Sequence, residues 1–410
     1  MKAKLILSLI CLPFGLLASG GDHIRGRAPM TALVYDLQAG NLGPMERAYF
    51  NDEIDFFLDY QGVQNTAARE LYALREAGRL AAISDLVSAR NFLRSVSKYP
   101  NEQQYVEGVI LAAEGQYENA MRTFKSLIDR RRDIPRPLAV KSLLAAARVA
   151  HEVADYSQAI FYYSRIRQLD PLFFEAIFEK SWSFYLDGDM NGALGATLSF
   201  MTPYSDNVFF PETYIVRSAS FYHLCQFDRA SSTIEEMKKV FIPIHAQVKE
   251  LQKRQVTTWL FDDKVLNSVN ARILGFMIAD PQFRSLQRAY QSLMDELGRL
   301  NGAEAAKAKE AFSFVRNKLS QRASYLLNRM DTELQKNLEQ ADSIQIEILQ
   351  LGVNVLTGAP VELRDDIRII SLGDVDFAPQ IQFWPFHGEF WADELGSYYY
   401  GLKSQCGRQG

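Results

Sequence analysis

The chain has 410 residues and a formal net charge of −4 at neutral pH. Its basic residues are scattered; Arg130-Arg131-Arg132 is the only dense run and reads as a solvated loop rather than a nucleic-acid patch. There is no Gly-rich phosphate loop, no His-Glu-x-x-His zinc helix and no Gly-x-Ser-x-Gly elbow, and the histidines are dispersed, which points away from catalysis, a metal or any other cofactor.

In chain order, Lys2 and Lys4 precede an apolar run, Leu5 to Leu17, that ends at Ala18-Ser19-Gly20. This pattern predicts a secretory signal peptide over residues 1–20, too short for a comfortable membrane span. Cys11 follows Ile10 rather than a small residue, which argues against a lipoprotein site; an uncleaved anchor is the alternative. Cleavage moves the net charge from −4 to −6, because Lys2 and Lys4 leave without any acid. The expected mature chain is periplasmic and keeps Cys225 and Cys406. An oxidising compartment permits a disulfide between them, although a buried free thiol suits Cys225 equally well.

Residues 21–66 carry no clear pattern, and helical periodicity begins at Ala67 with Leu71, Leu74, Leu80 and Ile83. One helix-pair pattern then recurs: GQYENAMRTF (Gly115 to Phe124), ADYSQAIFYY (Ala154 to Tyr163), GDMNGALGAT (Gly188 to Thr197) and CQFDRASSTI (Cys225 to Ile234). The alanines at 120, 159, 193 and 230 are 39, 34 and 37 residues apart. Units of this size cannot bury an apolar face alone and must stack.

The pattern resembles the tetratricopeptide repeat. The second copy is the best, with Tyr156, Ala159, Tyr163 and the closing Pro171, while Lys180, Met190 and Cys225 are departures in the third and fourth. Asp85 to Pro100 looks like the second helix of a degenerate fifth unit. The resemblance implies an all-α superhelical solenoid over residues 67–279 that holds other proteins, with the helices of 248–277 sealing its end. It also implies that each unit's first helix lines the groove. The groove positions would be Glu102 and Tyr105; Lys141, Leu144, Arg148 and His151; Glu175, Phe178, Trp182 and Tyr185; and Glu212, Ile215 and Tyr222. The spacing of Phe178, Trp182 and Tyr185 puts them on one face but leaves open whether that face is groove or core.

Beyond Pro281, Phe283, Leu286, Tyr290, Leu293, Leu297 and Leu300 step by threes and fours, a coiled-coil seam. Asn301-Gly302 breaks it, and a second, longer helical arm follows. Residues 280–356 are therefore expected to form a coiled-coil helical hairpin whose far half packs internally or on a partner. Self-association through this seam is the alternative reading. The C-terminal tail, 357–410, is aromatic, with Trp384 and Trp391 as candidate partner contacts and Ile367 to Ile370 as a possible short strand. Its stretch from Phe383 to Gly396 resembles exported tetratricopeptide proteins of predatory and gliding bacteria, which implies a cell-envelope complex. Glu389, Asp393 and Glu394 resemble the paired acids of a glycan hydrolase, but any amphipathic turn exposes such residues. The expected protein is a periplasmic scaffold for envelope proteins, with no nucleic acid and no small-molecule substrate.

Overall fold

The computed structural model describes residues 29–38, 66–357 and 389–406; among them there are helices and no strand. The signal peptide, the possible strand at 367–370 and Trp384 lie outside the described residues. Two units result: residues 72–246 with 330–410, and residues 1–71 with 247–329.

The first unit holds the repeats. The helices are α2 (Thr66–Ala82, whose first residues fall in the other unit) with α3 (Leu86–Arg94), then α4 (Pro100–Ala113) with α5 (Tyr117–Asp129). They continue as α6 (Arg136–Glu152) with α7 (Tyr156–Tyr163), α8 (Phe173–Leu186) with α9 (Met190–Leu198), and α10 (Glu212–His223) with α11 (Phe227–Lys253, whose last residues fall in the other unit). The described residues are thus all-α and tetratricopeptide-like, and Asp85 to Pro100 supplies the second helix of a fifth pair.

Each pair is closed by the same device. Ser84, Gly115, Ala154, Gly188 and Cys225 all sit at φ between 54 and 85°, in the left-handed region. The next residue's N–H reaches the carbonyl five positions back, as in Asp155 to Ala150 at 2.9 Å, and the left-handed residue's own N–H bonds three back, as in Ala154 to His151 at 3.0 Å. This is the Schellman ending, which satisfies the orphaned last carbonyls of the first helix. Asp85, Asp155 and Asp189 then cap the second helix, each accepting the N–H three residues on. Five residues after each left-handed residue stands the alanine: Ala89, Ala120, Ala159, Ala193 and Ala230 are each 0% exposed.

Where the turn residue is not glycine, the left-handed backbone costs about 1–2 kcal/mol. Ala154→Gly is accordingly expected to stabilise the chain by about 0.5–1 kcal/mol after the extra freedom of the unfolded state is deducted. The urea midpoint measures this, and a lower midpoint would contradict it.

The other unit contains α12 (Val256–Trp259), α13 (Asp263–Leu266), α14 (Ala271–Ala279), α15 (Pro281–Leu297) and α16 (Gly302–Thr357) as far as Arg329. It also contains a helix that the pattern over 21–66 did not reveal, α1 (Pro29–Gln38), with Met30, Thr31 and Val34 buried. α15 and α16 form the expected antiparallel hairpin. Asp280 meets Arg322 at 2.9 Å, the rings of Tyr290 and Phe312 lie 5.0 Å apart, and Leu297 packs in one cluster with Ala305, pairs placed symmetrically about the turn at Asn301-Gly302. Phe283, Leu286 and Leu293 are buried, so the chain fills its own seam.

α16 is 56 residues long, and from Met330 onward it belongs to the repeat unit. There it runs antiparallel to α11: His245 bonds Asp331 at 2.7 Å, and Lys238 bonds Asp342 and Gln345, each at 2.5 Å. Ile348 joins Met190, Leu194, Phe221, Leu224 and Ala230 in one cluster. This corrects the sequence expectation for the end of the stack. The far half of α16 covers it, while residues 248–277 lie in the other unit, because the apolar stripe of α11 needs a long continuous partner.

Candidate protein-binding face

The first helices of successive pairs present one stripe. On α6, Lys141 and Arg148 are exposed and His151 is half-buried; on α8, Glu175, Phe178, Glu179, Trp182 and Tyr185 are all partly exposed. Arg148 is the hub. Its guanidinium bonds Glu175 at 2.5 Å and both oxygens of Glu179, and the Tyr163 hydroxyl donates to Glu179 at 3.0 Å. Glu179 completes this cluster without having stood out in the sequence, where its place one turn after Glu175 was the available signal, and Tyr163 joins it from a repeat position. Burial pushes the Tyr105 and Tyr163 hydroxyls above their ordinary range, and Glu179 adds to the effect at Tyr163. Burial lowers His151, against the pull of Glu179 and Glu152, so its ring is neutral at pH 7 and pairs with the Ser183 hydroxyl at 2.8 Å.

The rings divide between core and surface. Phe178 lies 5.2 Å from Phe210 and packs against the cluster of Phe173, Ile177 and Phe200. Tyr185 bonds His223 of the next pair at 3.0 Å, and Tyr222 packs edge-on against Phe227 at 5.8 Å. Trp182 stands edge-on to Tyr185 at 5.7 Å and keeps part of its surface open. Tyr105 is half-buried, 5.8 Å from Phe124. Leu144 and Ile215, also expected in the groove, are 4% and 2% exposed and belong to the core, because their stripe position turns toward the neighbouring pair. Trp391, 59% exposed, stands apart from this face in the tail.

The tail makes its own contacts on a different stripe of the same helices. Leu395 is buried with Phe173, Ile177, Ala196 and Phe200. Gly396 donates its N–H to Ser199 Oγ at 2.8 Å and accepts from Lys180 Nζ at 3.0 Å. Burial pushes the Lys180 ammonium down to about 8. Tyr399 donates to the Asp189 carboxylate at 2.8 Å, and Arg217 bonds the Tyr400 hydroxyl at 2.7 Å while stacking on its ring. Asn191 clamps Leu402 from both sides, donating to its carbonyl at 3.0 Å and accepting its N–H at 2.9 Å. A disulfide joins Cys406 to Cys225 at the last turn, Cα to Cα 5.2 Å, which decides between the two readings left open for Cys225.

No protein-family model matches the chain, and no curated protein matches it. Among solved structures, it is similar to the crystal structure of the TPR domain of P58(IPK), 17% identical over 78% of this chain and 98% of that one, with a TM-score of 0.22. The assignment of the fold rests on the five helix pairs, their left-handed turns and their buried alanines.

Proposed function

We propose that this chain is an exported scaffold that holds another protein of a cell-envelope complex on its first-helix face. The observation that carries this reading is the stripe that bears exposed Lys141, the Arg148–Glu175–Glu179 cluster and, a turn beyond Glu179, the half-open ring of Trp182. Such rings supply buried area and the charges fix the register of a bound segment. Tyr105, His151, Phe178, Tyr185 and Tyr222 border the same stripe, and no reaction is assigned to it. Export is supported by the signal-like N-terminus and by the Cys225–Cys406 disulfide, since such bonds persist in oxidising compartments. The tail's resemblance to proteins of gliding bacteria points to gliding-motility or related envelope machinery as the assembly.

The test is cross-linking in living cells followed by mass spectrometry of what co-purifies. Envelope subunits are expected with the native chain, reduced about tenfold or more by Trp182→Ala with Lys141→Glu, at unchanged helical circular dichroism. Undiminished capture by that variant would overturn the assignment of this face. Recovery of the chain alone would favour self-assembly, and unfolding of the variant would make Trp182 a core residue.

A further inference from the structure

We propose that the face built by α8, α9 and α10 is a second protein-binding site, one that takes a peptide with a turn at Leu395 to Ser397 and no regular structure beyond it, and that is filled in cis by residues 395–406 of this chain. The case rests on how the segment is held. Four of its contacts are to main-chain atoms: Ser199 to the Gly396 N–H, Lys180 to the Gly396 carbonyl, and the two-sided Asn191 clamp on Leu402. The backbone of α9 and of Leu224, just past α10, adds more, with Tyr400 N–H to the Asn191 carbonyl at 3.2 Å and Gln405 N–H to the Leu224 carbonyl at 2.9 Å. Contacts of this type read a peptide backbone whatever its sequence, and side-chain pockets then select among sequences.

The pockets define the ligand class. Leu395 enters an aromatic and aliphatic socket. Gly396, at φ +80°, lies so close to Ile177 that a β-carbon would sit 3.1 Å from its side chain. Tyr399 meets a carboxylate, Tyr400 lies under a guanidinium, and Leu402 joins the cluster of Met190, Leu194 and Phe221. The recognised chemistry is a Leu-Gly step, then tyrosines, then a leucine.

The face itself is shaped for a backbone to approach. At Gly195 the three atoms nearest to an added β-carbon are all tail backbone, beginning with the Tyr398 carbonyl at 1.9 Å. Alanine there favours the helix by about 1 kcal/mol over glycine, so the substitution excludes the peptide without harming α9.

The experiment uses the full chain carrying Cys406→Ser, Leu395→Asp and Leu402→Asp, which strips the attached segment of its covalent tie and both leucines. The probe is a fluorescein-labelled peptide of residues 389–406 with Cys406→Ser, followed by anisotropy. Saturable binding is expected, weakened at least about tenfold when Gly195→Ala is added, with helical circular dichroism unchanged throughout. Absence of binding by the folded open variant, or equal binding with Gly195→Ala, would overturn the site. So would loss of helical signal in the open variant, because the segment would then be part of the fold rather than an occupant of it.

Discussion

With Cys406→Ser, the melting temperature of the repeat unit is expected to fall by about 5 to 10 °C. The disulfide closes a loop between residues 181 apart in sequence. In the chain-entropy description a loop of that length restricts the unfolded state by about 5 kcal/mol, and native disulfides typically realise 2–4. For a unit of this size each kcal/mol moves the midpoint by about 2–4 °C. Calorimetry with and without a thiol reductant isolates the effect. The native chain should drop to the variant's value in reductant, and the variant should not respond. Equal midpoints for native and variant under oxidising conditions would mean that the hydrogen bonds to Asn191 and Ser199 suffice to hold the tail. Protection of the Tyr400 and Leu402 amides against exchange then reports whether the segment leaves its face or only loosens.

The second large effect is expected at Glu296. Its carboxylate is 1% exposed and accepts the Met30 N–H at 2.6 Å, the Thr31 N–H at 2.9 Å and the Thr31 hydroxyl at 2.6 Å. These are first-turn donors of α1, which begins at Pro29 and has no intrahelical acceptors for them. Glu296 also lies one residue from the end of its own helix α15, where the helix dipole disfavours a negative charge. That mismatch makes sense only because the positive N-terminus of α1 sits against it. Glu296→Ala removes the acceptor and leaves two buried amides unsatisfied, for an expected loss of about 3 kcal/mol. Glu296→Gln retains an oxygen and should lose about half as much. Denaturant midpoints on the full chain measure both, and exchange at residues 29–38 shows whether α1 undocks. No change with Glu296→Ala would remove the carboxylate from any role in holding α1.

What was legible in the sequence is what is encoded locally. A left-handed turn followed by a close helix crossing demands a small or turn-forming residue and, five positions on, an alanine; both recur at fixed offsets whatever surrounds them. The hairpin was legible for the same reason, since its seam repeats every few residues. The tail's docking and the far half of α16 have no local signature, because their partners lie about a hundred residues or more away. Yet the third repeat carried a hint. Met190-Asn191-Gly192-Ala193-Leu194-Gly195-Ala196-Thr197 is small or apolar on every side, and all eight residues are buried. A helix without a polar face has something covering each side. Lys180, a departure from the repeat pattern, is also explained, since its ammonium serves the Gly396 carbonyl. The groove assignment erred at Leu144 and Ile215, where a stack position borders two neighbours and spacing alone does not say which one it meets.

The long return of α16 has a consequence for how the chain is made. Each helix pair closes over a few tens of residues, a topology that folds quickly. The last pair is different: Lys238 waits for Gln345, 107 residues later. At about 5–20 residues per second of synthesis, Leu194, Phe221 and Ala230 lack the Ile348 side of their cluster for about 5 to 20 seconds after α11 has emerged. Over that interval the nascent chain exposes a sticky edge that its finished form hides, and a holding chaperone would find its substrate there.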